Sequence, residues 1–475
     1  MLNSPQRQSS IGVIIEIIYA GQKTLRQFWP LLILAFVKIK NVNLGILITA
    51  IILLVALIVI YGFLYYRNFL FCVEDDGSFI LKRGVFSKKK VSILPEKIQQ
   101  VNINQSFIQR ILNVYEVEIE TAGGIEKEVK INAVSYNVAM EIKTILLEKK
   151  VESTAETEQA FFIKVSVQQL LIYALSSGFF KSLWIVIIFL LALYTNAKNI
   201  IDKDDQLIDF LINKGKNHIL ISAVIIPFIA VFIFNFLRVL IVYFDYTIAI
   251  ANKAYSFSYG LFNRKDTVTT KSKIQLVIIS QNIIQKKINL CKMYIRQFSS
   301  NYLKDTKATI HVPAMTSQNG QFLLQDFFNH GLNIDAILNA SKYRFSSNII
   351  KYVIVPTLVF IFINQLVYPI NYFAGLIIIY IISVTAILLF DYKNYKLGIG
   401  ENIIVKYAGV FNETHTFIQP KAIQAISVKQ YFWHRQAGVL HIYLHTAGGD
   451  LIFKFVKQNE ILPYLNYWLY LVEKE

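Results

Sequence analysis

Three times along this chain a glutamine is followed six residues later by a second glutamine and five residues further by a base. The sets are Gln99, Gln105 and Arg110; Gln275, Gln281 and Lys286; and Gln424, Gln430 and Arg435. These side chains donate, accept and carry charge, but none is a nucleophile or a proton shuttle at neutral pH. A buried amide must find partners, so the glutamines read as clamps on loop backbone or as a contact surface. The bases read as solvated helix residues, or as contacts to a lipid headgroup or a neighbouring domain. Lys88-Lys89-Lys90 and Arg264-Lys265 form short basic runs. Beside anionic lipid each such residue gains about 1 kcal/mol. His441 and His445 flank Tyr443 on one strand face, but a metal site needs further ligands and none is evident. The chain has no nucleophile elbow, zinc-protease motif or phosphate loop, and no paired carboxylates in an apolar setting. No enzyme activity, metal or cofactor is expected.

The elements that must position these residues are set by composition. Of 475 residues, 55% are hydrophobic, and the mean hydropathy is +0.45. An ordinary soluble domain is about 45–50% apolar. The excess falls in blocks: Leu44–Tyr65, Leu183–Tyr194, Ile219–Tyr243, Ile349–Val367 and Tyr372–Phe390, with a weaker run at Phe28–Val37. A spanning helix needs about 20 such residues. The segment Ile11–Ala20, broken by Glu16, reads as an interfacial helix. The spans pair into three hairpins, each followed by a polar block of roughly domain size. Few ionisable residues lie within the spans, which argues against an ion pathway. Cys72 and Cys291 are too far apart in sequence to suggest a disulfide framework or metal site. Met1–Ser10 is polar and lacks signal-peptide architecture.

The formal net charge is +17. No long basic tract or nucleic-acid motif accompanies it, so membrane lipid rather than nucleic acid is the expected partner of the charge. Each hairpin crosses twice, which puts all three polar blocks on one side. Their Lys/Arg excess over Asp/Glu is +2 for Arg67–Lys150, +9 for Tyr246–Arg344 and +3 for Lys393–Glu475. The opposite connections, Lys38–Asn43, Asn196–His218 and Pro369–Asn371, are short or nearly neutral. The positive-inside rule then places the blocks in the cytoplasm.

The polar blocks repeat one another. Gly84-Val85-Phe86, Gly260-Leu261-Phe262 and Gly409-Val410-Phe411 align, and Ile-Gln follows fourteen residues after each glycine. Thr121–Gly124 and Thr446–Gly449 both read Thr-Ala-Gly-Gly; the middle copy has Gln297–Ser300 there. The glycine marks a turn between β-rich runs. After the second glutamine comes a short helical turn, N-capped by Ser106 or Asn282 but not by Tyr431. The next strand alternates. Its inward set is largely apolar; its outward set is Glu116, Glu118 and Glu120 in one copy, and Lys292 and Arg296 flanking Tyr294 in the next. These acidic and basic stripes are candidates for docking between neighbouring domains. The Gly-Gly pairs read as hairpin turns. A helical stretch closes each block, at Tyr136–Glu148, Gln318–Phe328 and Asn459–Val472, to cover a sheet that cannot bury its own face.

Gly-Val-Phe, Pro95-Glu96-Lys97-Ile98-Gln99, Gln105 through Arg110 and Thr121–Gly124 together resemble the bacterial pleckstrin-homology-like domain. Three such domains, each behind a membrane hairpin, resemble membrane proteins of the YdbS/YdbT type. The resemblance implies an α+β fold with transmembrane helices: three PH-like antiparallel β domains, each capped by a C-terminal helix. It divides the chain into an interfacial segment and hairpin (1–66), domain 1 (67–150), hairpin 2 (161–245), domain 2 (246–335), hairpin 3 (346–392) and domain 3 (393–475). The middle copy departs most, with Lys271 where the others have Pro95 and Pro420. The family has no established enzymatic activity. The expectation is a multi-pass protein of the bacterial cytoplasmic (inner) membrane, a scaffold for a protein partner or homo-oligomer. An array of anionic-lipid sensors is the alternative, and a transporter component the weaker one.

Overall fold

The computed structural model describes residues 4–37, 44–74, 77–95, 98–121, 129–148, 161–177, 185, 188, 218–251, 254–297, 309–329, 331–366 and 373–474. Among them one order of elements recurs three times. Copy 1 runs β1 (Gln6–Arg7), α1 (Gly12–Val37), α2 (Leu44–Asn68), β2 (Leu70–Val73), β3 (Phe79–Arg83), β4 (Lys89–Ile93), β5 (Ile98–Gln105), α3 (Phe107–Ile111), β6 (Tyr115–Thr121), β7 (Val129–Val134) and α4 (Tyr136–Glu148). Copy 2 runs β8 (Phe161–Lys164), α5 (Val167–Ser177), α6 (His218–Val242), β9 (Thr247–Ala251), β10 (Ala254–Tyr259), β11 (Arg264–Thr270), β12 (Ile274–Asn282), α7 (Ile283–Lys287), β13 (Leu290–Gln297), β14 (Thr309–Thr316) and α8 (Ser317–Phe327). Copy 3 begins with β15 (Ala336–Asn339) and α9, which opens at Lys342–Ile349 and continues through a π turn at Ile350–Ile354 into Val355–Leu366. It ends with α10 (Phe373–Asn394), β16 (Lys396–Ile399), β17 (Ile404–Ala408), β18 (Asn412–Ile418), β19 (Ile423–Lys429), α11 (Phe432–Arg435), β20 (Val439–Thr446), β21 (Gly449–Lys457) and α12 (Gln458–Lys474).

Ile51–Asn68, Lys342–Gln365 and Ala374–Asn394 are helices long and apolar enough to cross a membrane, and Ile226–Val242 is a shorter apolar stretch. Apart from Ile185 and Ile188, the run Leu183–Tyr194 lies outside the described residues, as do most of the three opposite connections. The first apolar segments differ from the expectation. Ile11–Ala20 and Phe28–Val37 belong to one helix, α1, rather than to an interfacial helix and a separate short span. The reason is that its first turns have a protein surface to bury against: Ile15 packs on Val114 and Ala133.

The chain divides into two compact units, Met1–Lys164 with Ile241–Thr270, and Val165–Leu240 with Lys271–Glu475. In the first, one sheet has the order β1-β2-β3-β4 and the other β7-β6-β5-β11-β10-β9-β8. Phe69, Phe71, Phe79, Leu81, Val117, Ile119 and Ile131 fill its core, and α4 closes it with Ala139, Ile142 and Leu146. In the second, the orders are β14-β13-β12-β18-β17-β16-β15 and β19-β20-β21. Its core joins Leu276 of copy 2 to Leu397, Ile404, Ile442 and Phe453 of copy 3, closed by Ile461, Leu465 and Trp468 of α12. The alternation in the sequence accounts for these strands: residues i and i+2 share a face, so Val117 and Ile119 both point inward at 0% exposure.

The glycine that recurs in all three copies has a steric cause. Gly84, Gly260 and Gly409 have φ of +119°, +114° and +99°, and a Cβ there would stand 2.0 Å from the carbonyl oxygen of Ser87, Asn263 or Asn412. No L side chain fits that turn, so it is built the same way in each copy.

Candidate functional site

Each long sheet crosses a copy boundary. In the first unit β5 of copy 1 pairs antiparallel with β11 of copy 2, setting Arg264 opposite Gln105, Lys265 opposite Asn104 and Asp266 opposite Ile103. In the second unit β12 of copy 2 pairs with β18 of copy 3, from Leu276 opposite Ile418 to Asn282 opposite Asn412. The two registers are equivalent. Glu413 lies opposite Gln281, and by the repeat alignment these positions correspond to Arg264 and Gln105. The sheets are therefore continuous across copies, one copy's fifth strand carrying the next copy's first sheet, while the core of copy 1 is built from copy 1 residues alone.

Side chains reinforce both junctions at matching positions. Phe107, first residue of α3, makes an edge contact with Phe262 at 5.5 Å between ring centroids, and its N–H donates to Asn263 Oδ1 at 3.1 Å. In the second junction the Ile283 N–H donates to the Phe411 carbonyl at 3.2 Å. The signature base follows. Arg110 donates to the Leu261 carbonyl, and Lys286 pairs with both oxygens of Glu413 at 2.6 and 2.8 Å. Arg435 is exposed on α11.

The glutamines have backbone tasks. Gln105, Gln281 and Gln430 each donate Nε2 to a carbonyl at the foot of the next strand: Val114 at 3.2 Å, Leu290 at 2.9 Å and Val439 at 3.4 Å. They hold the short helix against that strand. The first glutamines sit where the strand register slips by one residue, between Ile98 and Gln100, Ile274 and Leu276, and Ile423 and Ala425. Gln99, Gln275 and Gln424 are thus the extra residues of equivalent β-bulges; the Gln99 side chain lies outside the described residues. Capping boxes pair Ser106 with Gln109 and Asn282 with Gln285, while Tyr431 makes no side-chain cap. Thr446–Gly449 is a hairpin turn, held by Thr446 Oγ1 donating to the Gly449 carbonyl at 2.6 Å. A Cβ on Gly448 would lie 2.9 Å from Gln275 Cβ, so this turn also abuts copy 2. Residues 122–124 lie outside the described residues.

The acidic stripe is not solvent-facing as expected. Glu116 is 7% exposed and Glu118 5%. Lys130 lies 2.8 Å from Glu116 and 3.8 Å from Glu118, and Asn104 Nδ2 reaches Glu118 at 3.0 Å. Tyr19 of α1 covers the same face, with Lys130 over its ring. The sequence pattern missed this because the covering helix is distant in the chain. Burial raises the Glu116 carboxyl above its ordinary range against the pull of Lys130. The Glu120 side chain is outside the described residues. Lys292 and Arg296 stand half-buried on β13. Burial lowers the Lys292 ammonium. Lys89 and Lys90 lie on β4 and Lys88 just before it, whereas Arg264 and Lys265 open β11 inside the first junction.

The helix that starts each copy docks on the second sheet of that copy. Ser9 N–H donates to the Ala133 carbonyl at 2.9 Å, and Ser341 N–H to the Phe455 carbonyl at 2.6 Å. Asn282 Nδ2 donates to the Ser176 carbonyl of α5 at 2.9 Å. Under α1, Glu16 accepts from Gln8 at 3.1 Å and Asn132 at 2.8 Å. Burial raises its carboxyl above the ordinary 4.5. The docked state then holds the proton more tightly than the undocked one. Docking is strongest below about pH 4.5 and loses stability as pH rises through the raised value. Glu16→Gln keeps an acceptor oxygen without the charge, so it is expected to stabilise α1 docking by about 1 kcal/mol at pH 7. Hydrogen exchange of 12–24 at pH 5 and pH 7 checks it: the pH dependence should vanish in the variant.

In the second unit a groove of about 560 Å³ opens where α9 and α10 meet the β domain. Arg344, Lys351 and Lys454 line it against Asp391, with Ile387 and Leu388 alongside. Arg344 pairs with Asp391 at 2.7 Å, and its guanidinium carbon lies 3.5 Å from the Tyr395 ring centroid. The two histidines of β20 have protein partners. His441 accepts from the Phe455 N–H at 3.0 Å and is pushed down to about 4 by burial beside His434, Lys454 and Lys351. His445 spans Asp450 and Ser427, each at 2.9 Å. Among the described residues no cluster of His, Cys, Asp and Glu could hold a metal ion.

The junction side chains carry a signal in the sequence that their place in a turn or short helix obscures. The available signal was an apolar side chain at two fixed offsets in every copy: Phe86, Phe262 and Phe411 at the turn, and Phe107, Ile283 and Phe432 after the cap.

The chain matches the profile of the Bacterial PH domain family over residues 29–150, 185–325 and 352–467. It is 28% identical over 309 residues to the UPF0699 transmembrane protein YdbT of Bacillus subtilis (strain 168), an alignment covering 60% of this chain and 61% of the relative. The chain thus spans about three fifths of the curated relative it matches.

Proposed function

The chain belongs to the bacterial PH domain family, and from that premise we propose that it is a non-catalytic membrane scaffold. It presents three PH-like domains at the cytoplasmic face of the bacterial inner membrane for association with protein. The observation that supports this most is the repeated strand junction: twice, a PH-like fifth strand is continued by another PH-like sheet in the same register. Strand addition to an exposed edge is a common mode of protein recognition, with main-chain bonds giving affinity and side chains giving selectivity. The charge excess of the three polar blocks supports the cytoplasmic orientation.

The test is recovery of the intact chain from native membranes in mild detergent. Stoichiometric protein, either a second chain or further copies of this one, is the expected result. Retained anionic lipid with no associated protein would overturn the scaffold reading.

The Arg344–Lys351–Lys454 groove supports a second reading, an anionic lipid headgroup held beside the membrane helices. Three cations face one carboxylate there, and each cation near anionic lipid gains about 1 kcal/mol. Lys351→Glu with Lys454→Glu is expected to reduce co-purified anionic phospholipid several-fold while leaving zwitterionic lipid unchanged. Equal retention of both lipids by the variant and the parent would remove this reading.

A further inference from the structure

Among the described strands, two junctions use up two fifth-strand edges and two fourth-strand edges, and leave one of each. At the copy 1 end, β4 has β3 as its one neighbour among the described strands. At the copy 3 end, β19 has β20. The parts that close the internal junctions stand exposed at these ends. Where they meet, Phe107 is 51% exposed and Phe262 44%, and Ile283 46% and Phe411 48%. Their counterparts at the free ends, Phe86 and Phe432, are 95% and 82% exposed. The same holds along the strands: Val428 of β19 is 46% exposed, whereas Ile103, its counterpart in β5, is 4%.

We propose that the β19 edge of one copy of this chain pairs with the β4 edge of a second copy, continuing the internal junctions head to tail. The inference rests on the scaffold reading and names its partner. The internal register transfers residue for residue. It sets Gln430 opposite Lys88, Lys429 opposite Lys89, Val428 opposite Lys90, Ser427 opposite Val91 and Ile426 opposite Ser92. Phe432 meets Phe86, and Arg435 faces the Val85 carbonyl, as Arg110 faces that of Leu261. The two surfaces differ, so the contact is heterologous and yields rings or rows rather than a two-fold dimer.

Charge moderates it. Lysine on exposed strands is a common guard against unrestricted edge pairing, and this register opposes two lysines, Lys89 and Lys429. Lys429 Nζ already lies 5.0 Å from the Tyr443 ring centroid. Like charges directly opposite are unfavourable and opposite charges favourable. The association is therefore weak and set by this pair.

The experiment uses the full chain in mild detergent, with self-association followed by sedimentation velocity. Lys89→Glu and Lys429→Glu should each tighten association about fivefold, and the double variant should return to the parent value. In mixtures, copies carrying Ser92→Cys should form disulfides with copies carrying Ile426→Cys but not with themselves. Phe86→Ala and Phe432→Ala should each loosen association. Native-like tryptophan fluorescence identifies the variants that have folded. Charge swaps without effect, or Ser92→Cys copies linking to one another, would overturn the proposal. If the swaps have no effect yet a different protein is recovered from native membranes, this inference fails and the scaffold reading stands. If neither association is found, both fail.

Discussion

Trp468→Ala is expected to destabilise copy 3 by about 3–5 kcal/mol. Trp468 is 1% exposed and sits with Ile461 and Leu465 where α12 closes the second-unit core. Truncation removes the apolar area of an indole and leaves a cavity that a helix anchored at both ends of its apolar stripe cannot readily collapse. The apolar face of a small sheet must be buried against another element, and α12 is such a cover here, so the loss should spread through β19-β20-β21. Differential scanning calorimetry of the detergent-solubilised chain gives the readout. The transition assigned to copy 3 should fall by several degrees, while one assigned to copy 1 should stay in place. A shift shared equally by both would mean that α12 is not a local cap. Trp468→Phe, which keeps most of the volume, should recover much of the loss.

Ile279→Pro is the second large effect, and it acts on the junction. Ile279 lies in the middle of β12, opposite Met293 on one side and His415 on the other. Proline removes the N–H and constrains φ, and the unmade ladder bond in a strand paired on both sides costs about 1–3 kcal/mol before any steric conflict is added. The expected consequence is local: the ladder between copies 2 and 3 opens, while the first unit keeps its fold. Limited trypsin digestion should then cut rapidly at Lys286 and Lys287, beside the strand. Ile279→Val, with the same backbone chemistry, should leave that cleavage as slow as in the parent. Unchanged digestion of the proline variant would show that β12 does not hold the two copies together.

Much of the fold was legible because its determinants are local. Alternation at Tyr115–Glu120 sets a strand, a steric requirement sets Gly84, Gly260 and Gly409, and Ser106 and Asn282 cap short helices from their own side chains. The triplication added what a single copy lacks: offsets that agree without gaps. The unread parts depend on residues far apart in the chain. Glu116 and Glu118 alternate like an outward face, but Tyr19 and Lys130 cover them from elements remote in sequence. Ile11–Ala20 has the amphipathic character of an interfacial helix, and a protein surface meets that character as well as a bilayer does. The partner of β5 could not be found by period, since β11 suits its own hairpin with β10 equally well. Gln99, Gln275 and Gln424 were recognisable as special but not as bulges, because a bulge is defined by the strand opposite.

Strand sharing also bears on how such a chain could have arisen. A polypeptide with a single copy would carry a fourth-strand edge and a fifth-strand edge together, each suited to the other but unable to meet within one domain. It would find its complement on its neighbours, at whatever concentration the membrane supplied. Joining copies end to end turns that encounter into an intramolecular one, with an effective concentration on the order of millimolar for short connections. Duplication then relaxes the demand on each interface, because tethering supplies what contact strength no longer must. The middle copy, paired through both edges, is also the one without the proline and the Thr-Ala-Gly-Gly of the other two.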